Sequence, residues 1–165
     1  MTAHPIHLAV YGTLKRGYWN HEVFCANAVR VEPLLLPGRL YAFESGIPAL
    51  VVDAADILAL GTCDPPADAA TQHKIAALMA EQGSCIPCVD RRLVDAELIT
   101  FADPAANLPP IDRLEGFRPG HDSMYDRVLV AAVAGSGKVT PVWCYVASRE
   151  SVSHIGPSDK LAWPW

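Results

Sequence analysis

Two stretches of the chain carry residue types that can do chemistry. The first is Tyr11-Gly12-Thr13-Leu14-Lys15-Arg16-Gly17, where an apolar run breaks into Gly-Thr and a second glycine follows five positions on. A turn of this composition exposes successive backbone amides, and such an array of N–H donors can hold a carboxylate, a phosphate or an oxyanion. Gly-Thr alone is more simply a strand-to-loop turn. The second stretch is Leu114-Glu115-Gly116-Phe117, a glutamate at the end of a short helix between two apolar side chains. If Glu115 faces a pocket, desolvation raises its pKa toward neutrality, which suits a group that takes a proton and gives it back. A glutamate before a glycine is otherwise a solvated helix end. Tyr125 starts a later strand, and its hydroxyl is available to orient a substrate; an aromatic packed in the core fits that position equally well.

Other chemistries fit less well. Gly135-Ser136-Gly137-Lys138 resembles a phosphate loop, but the required glycine falls on Ala132 and the hydroxyl position after the lysine is Val139. It reads as a hairpin turn. Cys85 and Cys88 have zinc-ligand spacing, and Cys63 and His73 are the residues that would complete a site, but no second Cys-x-x-Cys or Cys-x-x-His pair is present. The pair does not start a helix in a βαβ unit, which argues against a thioredoxin-like role. Neither a Gly-x-Ser-x-Gly elbow nor a His-Glu-x-x-His helix occurs.

The elements that must position these residues follow from the pattern around them. Over 165 residues, hydrophobic types make up 51% and charged types 19%, enough for one domain with a real core. A net charge of −5 gives no basic footprint for nucleic acid. No apolar run approaches the roughly 20 residues of a membrane span, and no signal pattern opens the chain, so a soluble cytoplasmic protein is expected. Five cysteines at uneven spacing fit reduced thiols.

Residues 6–11, 29–36, 39–43, 47–52, 92–101, 125–134 and 140–147 read as strands, the first buried on both faces. A short helix is expected from Asn20 to Ala28, with His21 a packed structural residue in its first turn. Another is expected from Ile111 to Glu115, set by Pro109-Pro110 and closed by Gly116. Asp112 is then a bystander on the same helix. Residues 53–91 break from this strand-rich composition. Ile75, Leu78 and Met79 predict a helix from Thr71 to Gln82, and the whole block reads as an inserted peripheral arm. Many short strands with few helices imply a sheet that curls or closes, so the expected class is α+β with a barrel-like sheet.

Taken in order, these segments resemble one family. Tyr11-Gly12-Thr13-Leu14-Lys15-Arg16-Gly17 with Asn20-His21, Gly46-x-Pro48-Ala49-Leu50, Val94-x-x-Glu97-Leu98, Leu114-Glu115-Gly116, Tyr125-x-Arg127-x-x-Val130 and Trp143-x-Tyr145 are similar to the γ-glutamylcyclotransferase (AIG2-like) family. The match runs from about residue 6 to 147. The resemblance implies a single domain, a small mixed β-barrel with a few short helices and a cavity at one end. It implies that Glu115 is the catalytic acid/base and that the Tyr11, Gly12, Thr13 and Leu14 loop binds the glutamyl part through backbone amides. The reaction it implies is cyclisation of a γ-glutamyl amine or peptide to 5-oxoproline and a free amine, with neither metal nor organic cofactor. Two departures stand out: the long 53–91 stretch, and Ala96 where the family commonly has glycine. Removal of a γ-glutamyl protecting group in a biosynthetic pathway is a second enzymatic reading. A non-catalytic small-molecule-binding or interaction module on the same fold is the alternative from another class.

Overall fold

The computed structural model describes residues 3–83 and 92–155. Five strands close on themselves. β1 (Ile6–Val10) pairs antiparallel with β6 (Leu93–Phe101) and parallel with β8 (Val139–Ala147). β8 forms a hairpin with β7 (Tyr125–Ala134), and Gly137 takes a positive φ of 81° in its turn. β2 (Arg30–Pro37) lies along β6 and closes the ring through Leu34 opposite Ala134 and Leu35 opposite Val133. One parallel pairing among antiparallel ones makes the barrel mixed, and closure leaves these five strands without free edges.

Burial on both faces, expected for β1, has a simple cause. Ala9, Leu34, Leu36, Leu98, Val130 and Val142 belong to one apolar cluster. Their strand neighbours Leu8, Ile99, Phe101, Leu129 and Trp143 belong to another, which also takes in Leu108, Ile111 and Ala69 from helices. Alternate residues of the same strands therefore fill the barrel and pack its outer face against helices.

Those helices are longer than the pattern of apolar residues suggested. α2 runs Pro65–Gln82 and α3 runs Pro104–Glu115. Each begins with an aspartate whose side chain accepts from the amide three residues on, Asp64 from Ala67 and Asp103 from Ala106, followed by proline at the first helical position. Asp-Pro is thus a helix-start signal twice, one that a count of apolar spacing does not register. Gly83 and Gly116 close the two helices at φ +60° and +66°. α1 is only Trp19–Phe24, and its cap position is Tyr18 rather than Asn20.

Residues 57–83 do not form the peripheral arm expected of them. β5 (Ile57–Leu60) extends the sheet beyond β7, and α2 buries Asp68, Ala69 and Gln72. Gly61 is pressed against β7: its amide donates to the Arg127 carbonyl at 2.7 Å, and a Cβ there would lie 2.8 Å from that same oxygen. Asp68 reaches the Arg127 guanidinium at 2.7 Å. Composition misled here because a segment rich in alanine and proline can still supply a strand and one buried charge. No helix among the described residues is long and apolar enough to cross a membrane.

A separate hairpin, β3 (Arg39–Ala42) and β4 (Pro48–Val51), sits at one end of the barrel. Two tyrosines hold it there. The Tyr11 hydroxyl donates to the Tyr145 carbonyl at 2.7 Å and accepts the Leu50 amide at 3.3 Å, and the Tyr125 hydroxyl donates to the Pro48 carbonyl.

Candidate active site

Strand direction decides which residues meet. β1 and β8 run parallel and β7 runs against them, so the C-terminal ends of β1 and β8 and the start of β7 share one end of the barrel. The turn of the β3–β4 hairpin and the C-terminus of α3 close over that end. Together they enclose a cavity of about 420 Å³ whose lining includes Tyr11, Gly12, Thr13, Leu14, Glu115, Tyr125 and Tyr145. All of the residues expected to bind or catalyse come together here, though they span 115 positions of sequence.

The loop after β1 is held open by side chains. Glu97, paired with Val10 across β6, accepts the Arg16 amide at 2.8 Å and lies 3.6 Å from the Arg16 guanidinium. Asn20 donates to the Thr13 hydroxyl at 2.7 Å, and His21 donates to the Leu14 carbonyl at 2.7 Å. His21 is therefore a structural residue, as its position suggested. The Lys15 amide turns back to the Gly12 carbonyl, while the amides of Gly12, Thr13 and Leu14 have no acceptor among the described residues. Gly12 packs closely against its neighbour: a Cβ there would lie 3.1 Å from Pro48 Cγ, so Pro48 would have to shift by a few tenths of an ångström to admit one.

Glu115 is half-buried on the cavity wall, and burial pushes its carboxyl up to about 7, with the Asp112 charge one turn earlier adding to the rise. Desolvation of a carboxylate by apolar surroundings is the dominant cause. Burial also raises the phenols of Tyr11, Tyr125 and Tyr145, and the Glu115 charge contributes to each. They are neutral hydroxyls at physiological pH. Tyr11 and Tyr125 already spend their hydroxyl protons on carbonyls, so their first role is to set the cavity's walls.

Asp112 is not the bystander the sequence suggested. It accepts from Arg127 Nε at 2.9 Å, from Arg127 Nη2 at 3.2 Å and from the Tyr145 hydroxyl at 2.6 Å. Arg127 also donates to the Thr62 carbonyl at 3.0 Å and lies over the Phe117 and Trp143 rings at 5.0 and 5.4 Å. Burial works against this cation, but the neighbouring Tyr145 and the hydrogen-bonded Asp112 and Asp68 outweigh it and hold its pKa above the ordinary value. The signal for this network was present in the sequence. Arg127 sits two residues from Tyr125 on the same face of a strand that is apolar from Val128 onward, while Asp126 points to the other face, so a charge there needs an acidic partner from elsewhere in the chain.

Of the cysteines proposed for a metal, Cys63 is an exposed free thiol, and Cys85 and Cys88 lie outside the described residues. Among the described residues no group of three or more His, Cys, Asp or Glu is gathered as a metal site. Cys25 and Cys144 are buried, and burial pushes both thiols up to about 12, which makes them poor nucleophiles.

The architecture has a solved counterpart. An AIG2-like protein from Mus musculus superposes with a TM-score of 0.50 at 18% identity, over 90% of this chain and 83% of that one. At that identity the likeness concerns the fold. No curated protein matches the sequence. The family model for γ-glutamyl cyclotransferase, AIG2-like, matches residues 8–62 and 58–163, which take in the amide loop, Glu115 and the Arg127 strand. The chain belongs to the γ-glutamyl cyclotransferase, AIG2-like family.

Proposed function

We propose that the protein cyclises a γ-glutamyl amide to 5-oxoproline and releases the free amine, with Glu115 as the single acid/base. The observation that carries this reading is a carboxyl whose pKa burial raises to about 7, on the wall of a cavity also lined by Gly12, Thr13 and Leu14, whose amides have no acceptor among the described residues. A base poised near neutrality is half protonated at working pH, so it can accept and return a proton without a large driving-force penalty.

The chemistry needs no second reactant. The substrate's α-nitrogen and its γ-carbonyl carbon belong to one molecule, so closing a five-membered ring depends on holding the substrate folded. Glu115 takes a proton from the α-ammonium. The freed amine attacks the γ-carbonyl, the new N–C bond forms, and the carbonyl oxygen carries the negative charge. As the carbonyl re-forms, the bond to the departing nitrogen breaks and Glu115 returns its proton to that nitrogen. The ring nitrogen then gives its remaining extra proton to Glu115, which passes it to the released amine. The products are therefore 5-oxoproline and an ammonium ion, and Glu115 ends as the carboxylate it began as. The Gly12–Leu14 amides hold the α-carboxylate or the oxyanion, and the Tyr125 ring forms the wall against which the glutamyl chain folds.

The test is a panel of γ-glutamyl amides and peptides incubated with the protein, with 5-oxoproline read by mass spectrometry. Stoichiometric 5-oxoproline and amine are expected from at least one member, and their loss with Glu115→Gln. A panel that yields none while binding to the cavity would leave a binding module in place of an enzyme.

A further inference from the structure

The cavity is asymmetric in a way that bears on the half of the substrate that leaves. Its inner lining is buried, with Val10, Leu14, Tyr125 and Tyr145 each less than a tenth exposed. Six other lining residues reach solvent: Thr13, Ser45 and Gly46, which are small or polar, and three large apolar ones, Ile47 at 46% exposed, Leu114 at 41% and Met124 at 40%. Residues that line a cavity and also meet water mark its mouth. The three apolar ones come from three separate elements: the β3–β4 turn, the last turn of α3, and the residue before β7. Pro48 stands beside Ile47 on the same wall.

Exposed large apolar side chains are ordinary when scattered, but three converging on one opening are not. Among the described residues no lysine or arginine lines the cavity, and Glu115 is the one carboxyl in its lining. A leaving group with its own carboxylate would meet no cation here and would face the ionised Glu115 across a poorly solvated space. A cationic leaving group would lose its hydration against Ile47 and Met124 in return for a contact that deprives Glu115 of its raised pKa.

Resting on the cyclisation reading, we propose that Ile47, Leu114 and Met124 form an apolar collar that selects γ-glutamyl amides of uncharged, hydrocarbon-bearing amines. The glutamyl half sits inside against the amide loop, and the amine half lies in the mouth. Met124 suits such a collar, because its flexible thioether adapts to branched or unbranched chains. Gly46, at φ +81°, shapes the turn that carries Ile47 over the opening.

Three probes sharing the glutamyl half test this: the γ-glutamyl amide of 3-methylbutylamine, γ-glutamylglycine, and the γ-glutamyl amide of 1,5-diaminopentane. The 3-methylbutyl amide is expected to show a kcat/KM at least about tenfold above either charged probe, the order of discrimination that one or two buried methylenes supply. Ile47→Ser and Met124→Ser, both at exposed positions, should each reduce that ratio several-fold, through KM for the apolar probe. Calorimetric binding of the same probes to the Glu115→Gln protein reads the collar without turnover. The same order of Kd values is expected there. Preferential binding with no 5-oxoproline from the unaltered protein keeps the collar and removes the cyclisation. Equal binding of the three probes, no binding of any, or a preference untouched by both serine variants overturns the collar.

Discussion

Arg127 holds Asp112 through two contacts, 2.9 Å from Nε to Oδ1 and 3.2 Å from Nη2 to Oδ2, and Asp112 lies one turn before Glu115 on α3. The cation is fully buried, and its remaining nitrogen binds Asp68 on α2 at 2.7 Å. One side chain thus fixes both helices to β7 and sets the angle at which α3 delivers Glu115 to the cavity. Removing one member of a buried ion network leaves the others charged and unpaired, which typically costs about 3–5 kcal/mol. Arg127→Ala is expected to lower stability by that order, read as a shift in the urea midpoint.

Asp112→Asn tests the same arrangement from the other side. It removes a negative charge that raises the Glu115 pKa. The acid limb of kcat/KM should therefore move to lower pH, since Glu115 would lose its proton more easily. A profile superimposable on the wild type would show that Asp112 acts on stability alone.

Glu115→Gln keeps the shape of the side chain but cannot cycle a proton at neutral pH. Loss of general acid–base catalysis typically costs ~10²–10⁴-fold, and here one group serves both transfers. The loss should fall on kcat, with binding by the Gly12–Leu14 amides retained. Near wild-type turnover of a confirmed substrate would sink the assignment.

The same residue leaves a mark on stability. Its folded-state pKa of about 7 stands above the ordinary 4.5, so between those values the native state holds a proton that the unfolded chain has released. Stability is then greatest below about pH 4.5 as far as this group is concerned, and it is lost as pH rises toward 7, with a slope near 1.4 kcal/mol per pH unit at most. Glu115→Gln should flatten the fall in stability between pH 5 and 7, as measured by denaturant unfolding across that range.

Residues 57–83 should prove indispensable. Deleting them removes β5, the close approach of Gly61 to Arg127, and the Asp68 carboxylate, so the shortened chain is expected not to fold cooperatively. Gly61→Ala is the finer test. Its Cβ would sit 2.8 Å from the Arg127 carbonyl oxygen and 3.2 Å from the guanidinium carbon. Overpacking of this kind typically costs ~1–3 kcal/mol, and a melting temperature unchanged from wild type would show that β5 yields easily.

Local chemistry was legible in the sequence wherever one residue's own preferences decide the outcome. Gly116 as a helix end, Gly135-Ser136-Gly137 as a hairpin turn and the strands of β1, β6, β7 and β8 follow from backbone freedom and from the run of β-branched and apolar side chains. The motif order from Tyr11 to Tyr145 identified the family and, with it, Glu115 and the amide loop as candidates. Helix starts were misjudged where the decisive residue was polar: Asp64 and Asp103 each cap through one side-chain oxygen, which apolar periodicity does not register. What only the tertiary structure decided is who meets whom. Asp68, Asp112 and Arg127 lie 44 and 15 residues apart in sequence and share no local pattern. They converge because a buried guanidinium must find acceptors wherever the closed barrel and its two helices bring them. The pKa of Glu115 has the same origin, since desolvation depends on how much of the barrel end surrounds it, and that is a property of packing rather than of any neighbour in the chain.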